Sequence, residues 1–145
     1  MGVFSKTCEY AIRAVFYISQ RTHEGYKTGI KEIASNIDSP EPFLAKILQK
    51  LAKAGIVQSV KGPNGGFYID IASFDRPLSD IVEAIDGAEI FTGCAMGLSF
   101  CSEVNPCPLH NDFKEVRNRI TEMLHRTSIS QFDEELIRGQ LSLNK

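Results

Sequence analysis

The sequence lacks the features that mark membrane proteins and secreted, disulfide-stabilised proteins. It contains no tryptophan and only four cysteines in 145 residues. No apolar run approaches the roughly 20 residues that a membrane-spanning helix needs, and Glu9 and Arg13 interrupt the N-terminal apolar stretch where a signal peptide would lie. We therefore expect a cytoplasmic protein without a membrane partner, in which the thiols stay reduced.

The charge is divided unevenly along the chain. The apolar content of 43% and the charged content of 23% are ordinary for a globular domain, and the net charge is only −2. Residues 1–72 carry nine Lys and Arg against six Asp and Glu, giving +3, whereas residues 73–145 carry seven against twelve, giving −5. This asymmetry favours an anionic partner for the first half, although charge also varies along proteins that have no such partner.

Apolar periodicity in the first half predicts three helices. The pattern covers SKTCEYAIRAVFYISQRT (residues 5–22), IKEIASNI (30–37) and SPEPFLAKILQKLAKAG (39–55), the last with Ser39 as N-cap and Gly55 as stop. A short second helix, a tight turn and a longer basic helix are typical of a helix–turn–helix, whose last helix enters the major groove. The residues predicted to contact DNA from this region are Ser39, Lys46, Gln49, Lys50 and Lys53.

A glycine-rich hairpin is predicted directly after the third helix. Two β-branched stretches flank KGPNGG (residues 61–66), and an Asn-Gly pair is a strong hairpin signal. A hairpin at this place is typical of a winged helix, in which glycines let the backbone approach phosphates closely. The wing residues predicted to contact DNA are Lys61, Gly62, Asn64, Gly65 and Gly66. A winged helix that contacts only proteins remains the alternative.

The second half predicts two further helices around a cysteine-rich loop. RPLSDIVEAIDG (residues 76–87) is a helical pattern, three of the four cysteines follow within residues 93–110, and Pro108 is expected to start the last helix. In that helix apolar residues step by four and three, as in a heptad seam, which favours pairing with a second copy over packing on its own domain. The predicted dimer contacts are Leu109, Phe113, Val116, Ile120 and Met123. From residue 127 the pattern weakens, and we expect a poorly ordered tail.

Three stretches together resemble the Rrf family of bacterial winged-helix transcription regulators. They are SKTCEYAIRAVFYIS, FLAKILQKLAKAGIVQSVKGPNGGFYI and the cysteine-rich loop, and the resemblance covers residues 3 to about 126. It implies a mostly α-helical winged helix–turn–helix with a small β-hairpin wing, and a homodimer that binds palindromic double-stranded promoter DNA as a repressor. The expected organisation is a DNA-binding region (1–86), a cluster-binding loop (87–108), a dimerisation helix (109–126) and a C-terminal tail (127–145).

The resemblance also implies a role for the loop. Cys94, Cys101 and Cys107 correspond to ligands of an iron–sulfur cluster, either [2Fe–2S] or [4Fe–4S], and thiolates are soft ligands suited to such clusters. The resemblance implies two positions for the fourth ligand. The family's nitric-oxide sensors use a carboxylate of the partner subunit at the position of Glu9. The family's cluster-biogenesis regulator uses a histidine at the position of His110. We expect Glu9, because a weakly held carboxylate would expose iron to nitric oxide. The predicted regulator therefore senses nitric oxide, or else redox or cluster status.

Two other chemistries remain open for the loop. Cys94, Cys101, Cys107 and His110 could close a tetrahedral zinc site, although the close cysteine pairs usual for zinc are absent. A metal-free thiol switch is the second alternative. An enzyme is not expected, because a nucleophilic pair of Cys107 and His110 would lack an orienting third group, and the sequence has no nucleotide loop or paired-carboxylate motif.

Overall fold

The computed structural model describes residues 2–137 as a mostly helical protein with one small hairpin, which confirms the predicted fold class. None of its helices is long and apolar enough to cross a membrane. In chain order the elements are α1 (Lys6–His23), α2 (Ile30–Ile37), α3 (Glu41–Lys53), β1 (Gln58–Val60), β2 (Gly66–Tyr68), a 3₁₀ helix (Ile71–Asp75), α4 (Leu78–Asp86), α5 (Glu89–Thr92), α6 (His110–Arg126) and α7 (Ile129–Ile137).

Helix α1 is the centre of the fold. Its N-terminus is capped by the hydroxyl of Ser5, which accepts a hydrogen bond from the amide of Cys8 at 3.0 Å. Helices α2, α3, α4 and α7 and strand β2 all pack against it. The face of α3 that the periodicity marks as buried is buried, because each of its four aliphatic residues is at most 1% exposed. These residues are Leu44, Ile47, Leu48 and Leu51.

The N-terminus of α3 differs from the sequence-based prediction. Asp38 ends α2 in the left-handed conformation, and α3 begins at Glu41 with Pro40 in the N-cap position. Ser39 is buried, and its hydroxyl donates to the carbonyl of Pro40 at 3.3 Å instead of accepting from a helix amide. The prediction that Ser39 caps α3 is therefore wrong, because Pro40 has an extended ψ of 131° and the helix begins only after it.

The hairpin forms where it was predicted, and its turn is centred one residue before the Asn64-Gly65 pair. Val60 pairs with Gly66 in the antiparallel register, so five residues connect the strands. The amide of Gly65 donates to the carbonyl of Gly62 at 3.0 Å, which makes Pro63-Asn64 the central pair of the turn. An Asn-Gly central pair would need a two-residue connection, which this register excludes.

The hairpin is anchored to the loop between α1 and α2. The backbones of Thr28 and Phe67 exchange two hydrogen bonds, at 2.9 and 2.8 Å. A Cβ atom at Gly66 would lie 2.9 Å from the backbone of Thr28, and one at Gly65 would lie 2.0 Å from the carbonyl oxygen of Val60. Both glycines are therefore required by close backbone packing.

The C-terminal segment folds back onto α1 and the 3₁₀ helix. The expectation of a poorly ordered tail is wrong for residues 129–137, which form α7, and residues 138–145 lie outside the described residues. Ile129 is fully buried, and the ring of Phe132 stacks on Phe16 with centroids 4.1 Å apart. These contacts are far apart in sequence, so the weak local pattern gave no sign of them. Helix α6 itself begins at His110, after Pro108.

Candidate metal centre and DNA-binding surface

Three thiols converge in the loop between α5 and α6. The Sγ atoms of Cys94, Cys101 and Cys107 all lie within 4.8 Å of one another, and those of Cys94 and Cys107 are 4.0 Å apart. All three are free thiols and half-buried. Within residues 2–137 this is the single group of three or more His, Cys, Asp or Glu side chains close enough to share a metal ion. The fold therefore brings together the three predicted cysteine ligands.

Helix α6 fixes the start of the loop. The guanidinium of Arg117 donates to the carbonyl oxygens of Gly93 and Thr92, at 2.8 and 3.3 Å. The loop then turns back at Cys94, whose carbonyl accepts from the amide of Gly97 at 3.0 Å. Arg117 was not among the predicted site residues. Its only sequence signal is its position seven residues after His110, which places both on one face of α6.

The thiols influence one another's protonation. The backbone amides of Leu98 and Met96 lower the pKa of Cys94, because they favour its thiolate. The backbone amide of Cys107 acts in the same direction on Cys101, but desolvation and the two neighbouring thiols outweigh it and raise the pKa of Cys101. A cation that binds here would therefore displace protons from a coupled set of thiols.

His110 lies beside the three thiols. Its side chain is 9% exposed, and Nδ1 lies 3.3 Å from the Sγ of Cys101. The other ring nitrogen, Nε2, is buried without a hydrogen-bond partner and lies 3.7 Å from the carboxylate of Glu103. Glu103 in turn forms an ion pair with Lys114, which lowers the pKa of the Glu103 carboxyl. His110 is thus in contact with Cys101 but is not within the group of three mutually close ligand atoms. Glu103 is a neighbour that the sequence did not indicate.

Glu9 lies apart from the thiols of its own chain. It occupies the first turn of α1, where its carboxylate is 24% exposed and lies 3.9 Å from the amino group of Lys6. It does not belong to the group of mutually close ligand atoms formed by the thiols. A Glu9 ligand would therefore have to come from a second subunit.

The polar face of α3 and the tip of the hairpin form an exposed basic surface. Lys46, Lys50, Lys53 and Lys61 are exposed and form no ion pair with a described residue. Gln49, Gly62 and Asn64 are exposed on the same elements. The other predicted contacts are less accessible: Ser39 is buried, and Gly65 and Gly66 are half-buried against backbone.

The predicted heptad seam of α6 divides into an outer and an inner row. Leu109, Val116 and Met123, at seven-residue spacing, are 48%, 51% and 44% exposed. Phe113 and Ile120 are half-buried, and Ile120 packs against the core of its own domain. Leu124, outside the predicted seam, is buried in that core. The outer row is therefore the apolar surface that α6 leaves uncovered within one chain.

Comparison with known proteins gives consistent matches. Residues 4–135 match the Rrf2 family, described as an iron-dependent transcriptional regulator. An HTH-type transcriptional regulator of Aquifex aeolicus is 35% identical over 129 residues, covering 88% of each chain. The regulator IscR of Vibrio vulnificus is 25% identical over 130 residues, covering 88% of this chain and 76% of the relative.

Two solved structures have the same fold. IscR of T. potens superposes with a TM-score of 0.75 at 25% identity, covering 98% of this chain and 93% of the other. CymR of B. subtilis, the global cysteine regulator, superposes with a TM-score of 0.76 at 20% identity, covering 92% and 98%. At that identity the second likeness is evidence for the fold alone.

Proposed function

Because the chain belongs to the Rrf2 family of transcriptional regulators, we propose that it is a homodimeric repressor that senses nitric oxide or redox state through an iron–sulfur cluster. The family binds DNA through the winged helix and consists of regulators, not enzymes. The observation that carries the cluster proposal is the convergence of Cys94, Cys101 and Cys107 within 4.8 Å.

The residues of the loop fit an iron–sulfur cluster. Three free, half-buried thiols are soft donors of the kind that such clusters use, and Nδ1 of His110 is a further donor atom 3.3 Å from the Sγ of Cys101. When bound, a cluster would supply iron that exchanges electrons or takes up a diatomic ligand. The thiols would hold it, and Arg117 would keep the start of the loop against α6.

One distance in the structure bears on the identity of the fourth ligand. The position of His110, 3.3 Å from the Sγ of Cys101, supports a histidine ligand from the same chain. The expectation of Glu9 remains as a ligand from the partner subunit, which would tie the cluster to the DNA-binding domain across the dimer. We propose His110, because it needs no second subunit to reach the thiols.

DNA binding and dimerisation rest on two exposed surfaces. The unpaired lysines of α3 and Lys61 of the wing would contact phosphates and base edges of a palindromic promoter site. The outer row of α6, Leu109, Val116 and Met123, would pair with the same row of a second copy. A two-fold dimer supplies the symmetry that a palindrome requires.

The cluster is tested by anaerobic purification followed by iron, sulfide and zinc analysis and a visible absorption spectrum. We expect a brown protein containing iron and sulfide, loss of colour in Cys101→Ser, and retention of colour in Cys8→Ser, whose thiol is buried on α1. Addition of nitric oxide should bleach the spectrum and lower affinity for promoter DNA. A colourless wild-type protein with one zinc per chain would show that the loop binds zinc instead of a cluster. A wild-type protein without metal would leave a thiol switch as the function of the loop.

The fourth ligand is tested by comparing His110→Ala with Glu9→Ala. Resonance Raman spectra of both anaerobically purified variants report on the donor atoms around iron. We expect a changed spectrum or a lost cluster in His110→Ala and an unchanged spectrum in Glu9→Ala. The reverse result would assign the ligand to Glu9 and make the partner subunit part of the site.

A further inference from the structure

The end of α6 is hydrogen-bonded to the segment that leads into α4. The carbonyl of Thr127 accepts from the amide of Leu78 at 2.9 Å, and the amide of Ile129 donates to the carbonyl of Arg76 at 3.0 Å. Pro77 and Ser128 form a β-bridge between these two bonds. Residues 127–129, the α6–α7 junction, are therefore joined to residues 76–78 by backbone hydrogen bonds.

The side chain of Arg76 reaches the other way, to the end of the recognition helix. Its Nη1 donates to the carbonyl of Ala54, the C-cap residue of α3, at 2.7 Å. Its Nε donates to the carboxylate of Asp80 on α4 at 2.7 Å. The side chains of Arg76 and Asp80 are each 30% exposed, so this contact is partly shielded from water. One residue thus bonds through its backbone to the α6–α7 junction and through its side chain to α3 and α4.

We propose that Arg76 is a positioning residue for DNA recognition, because it fixes the recognition helix α3 relative to the helix α6 that carries the dimer contact. A dimer reads a palindrome only if its two recognition helices lie about one DNA turn, roughly 34 Å, apart. That separation depends on how rigidly α3 is held to α6 in each subunit. A guanidinium suits this task, since its planar fork binds two acceptors in fixed directions, whereas lysine offers a single flexible ammonium group. The inference rests on the proposed homodimer.

The experiment compares DNA with two half-sites to DNA with one. The probes are a duplex selected by the wild-type protein from a randomised library, the same duplex with one half scrambled, and a fully scrambled duplex of equal length. We expect Arg76→Gln to bind the full site at least about tenfold more weakly, on the order expected for loss of a charge-assisted hydrogen bond. Its affinity for the half-site should fall less than about threefold, and that for scrambled DNA should not change. Arg76→Lys should restore the full-site affinity only in part.

Matched variants separate positioning from loss of fold. Arg126→Gln removes an exposed arginine of α6 and should bind all three probes like the wild type. Asp80→Asn leaves the bond from Arg76 to Ala54 in place and should weaken full-site binding by a smaller factor than Arg76→Gln. Circular dichroism and sedimentation should show folded dimers for every variant, and if Arg76→Gln does not fold, the full-site to half-site ratio of Asp80→Asn decides the question.

Three results would overturn the inference. Equal losses on the full site and the half-site would limit Arg76 to capping α3 locally. Unchanged full-site binding in folded Arg76→Gln and Asp80→Asn would remove the residue from DNA recognition. A wild-type protein that binds the half-site as tightly as the full site would instead contradict the proposed dimer and, with it, the premise of the inference.

Discussion

Asp133 holds α7 against α1 through a buried polar cluster, and its replacement measures how much that attachment contributes to the free energy of unfolding. The hydroxyl of Ser19 donates to Oδ2 of Asp133 at 2.7 Å, and Nε2 of His23 lies 3.0 Å from the same oxygen. Ser19 and Asp133 are both inaccessible to solvent, whereas the side chain of His23 is 46% exposed. Oδ1 of Asp133 is buried and has no partner among the described residues.

The cost of Asp133→Ala follows from the group that it leaves unpaired. The buried hydroxyl of Ser19 would lose its acceptor, which costs about 1 to 3 kcal/mol, and the half-exposed contact with His23 adds less than about 1 kcal/mol. Removing Ser19 as well removes the unpaired hydroxyl. We therefore expect the double variant Ser19→Ala/Asp133→Ala to lose less stability than the sum of the single variants, by at least about 0.5 kcal/mol.

The same cluster predicts a pH dependence. Desolvation raises the pKa of Asp133 above its ordinary value of 3.8, although the Ser19 hydrogen bond and the charge of His23 act in the opposite direction. Between the ordinary and the raised pKa the folded state keeps a proton that the unfolded state has released. The contribution of Asp133 to stability is therefore greatest in acid and falls as pH rises from about 4 through the raised pKa.

Urea denaturation at a fixed protein concentration measures both effects. Asp133→Asn keeps an acceptor for Ser19 and cannot ionise, so its stability relative to the wild type should increase as pH rises above about 4. The scan is repeated in a His23→Gln background to remove the contact between the imidazole and Asp133. Additive single variants, or a stability difference between wild type and Asp133→Asn that does not change with pH, would refute this account of the cluster.

Three further predictions concern DNA binding, assembly and thiol reactivity. Lys50→Gln and Lys61→Gln should each weaken DNA binding and reduce the slope of log affinity against log salt by about 0.9 for each phosphate that the variant no longer neutralises; unchanged slopes would remove these residues from the interface. Val116→Asp should give monomers by sedimentation, and it is preferred to Ile120→Asp because Ile120 also packs in the core; a persistent dimer would place the interface elsewhere. Burial raises the pKa of Cys8 to about 12, so a thiol reagent applied to the native apo protein should modify loop cysteines and leave Cys8 free by mass spectrometry; early labelling of Cys8 would contradict its burial.

The elements that depend on local sequence were predictable. Helix α2 spans Ile30–Ile37, the same residues as its apolar pattern. The two strands of the hairpin come from the β-branched stretches before and after the predicted glycine-rich turn. Both are fixed by contacts between residues close in the chain, where periodicity and turn chemistry operate. The error at Ser39 is an error of one residue, because a cap position depends on register as well as on residue type.

The parts that depend on distant contacts were not predictable. Helix α7 has a short apolar pattern, and its position is set by Phe16, Ser19 and residues 76–78, which lie far from it in the chain. The candidate metal centre shows the same division. The spacing of its cysteines and their resemblance to the family indicated the ligands, but the contacts of Glu103 with His110 and of Arg117 with Gly93 appear only once the loop is folded.

The hydrogen bonds constrain how a change at the thiols could reach DNA. Apart from the bond between Gly93 and Glu89 of α5, those that leave the loop, residues 93–109, run to α6. They involve His110, Lys114 and Arg117, and none described joins the loop to α3 or to the hairpin. Helix α6 is in turn bonded to residues 76–78 at the α6–α7 junction. Within one subunit, α6 and its junction with α7 therefore provide one hydrogen-bonded route from the loop towards α3. It follows that variants at the junction should change how strongly promoter binding responds to cluster loss, while the visible spectrum of the cluster stays the same. A response carried by Glu9 of the partner subunit would bypass the junction, and such variants would leave that response unchanged.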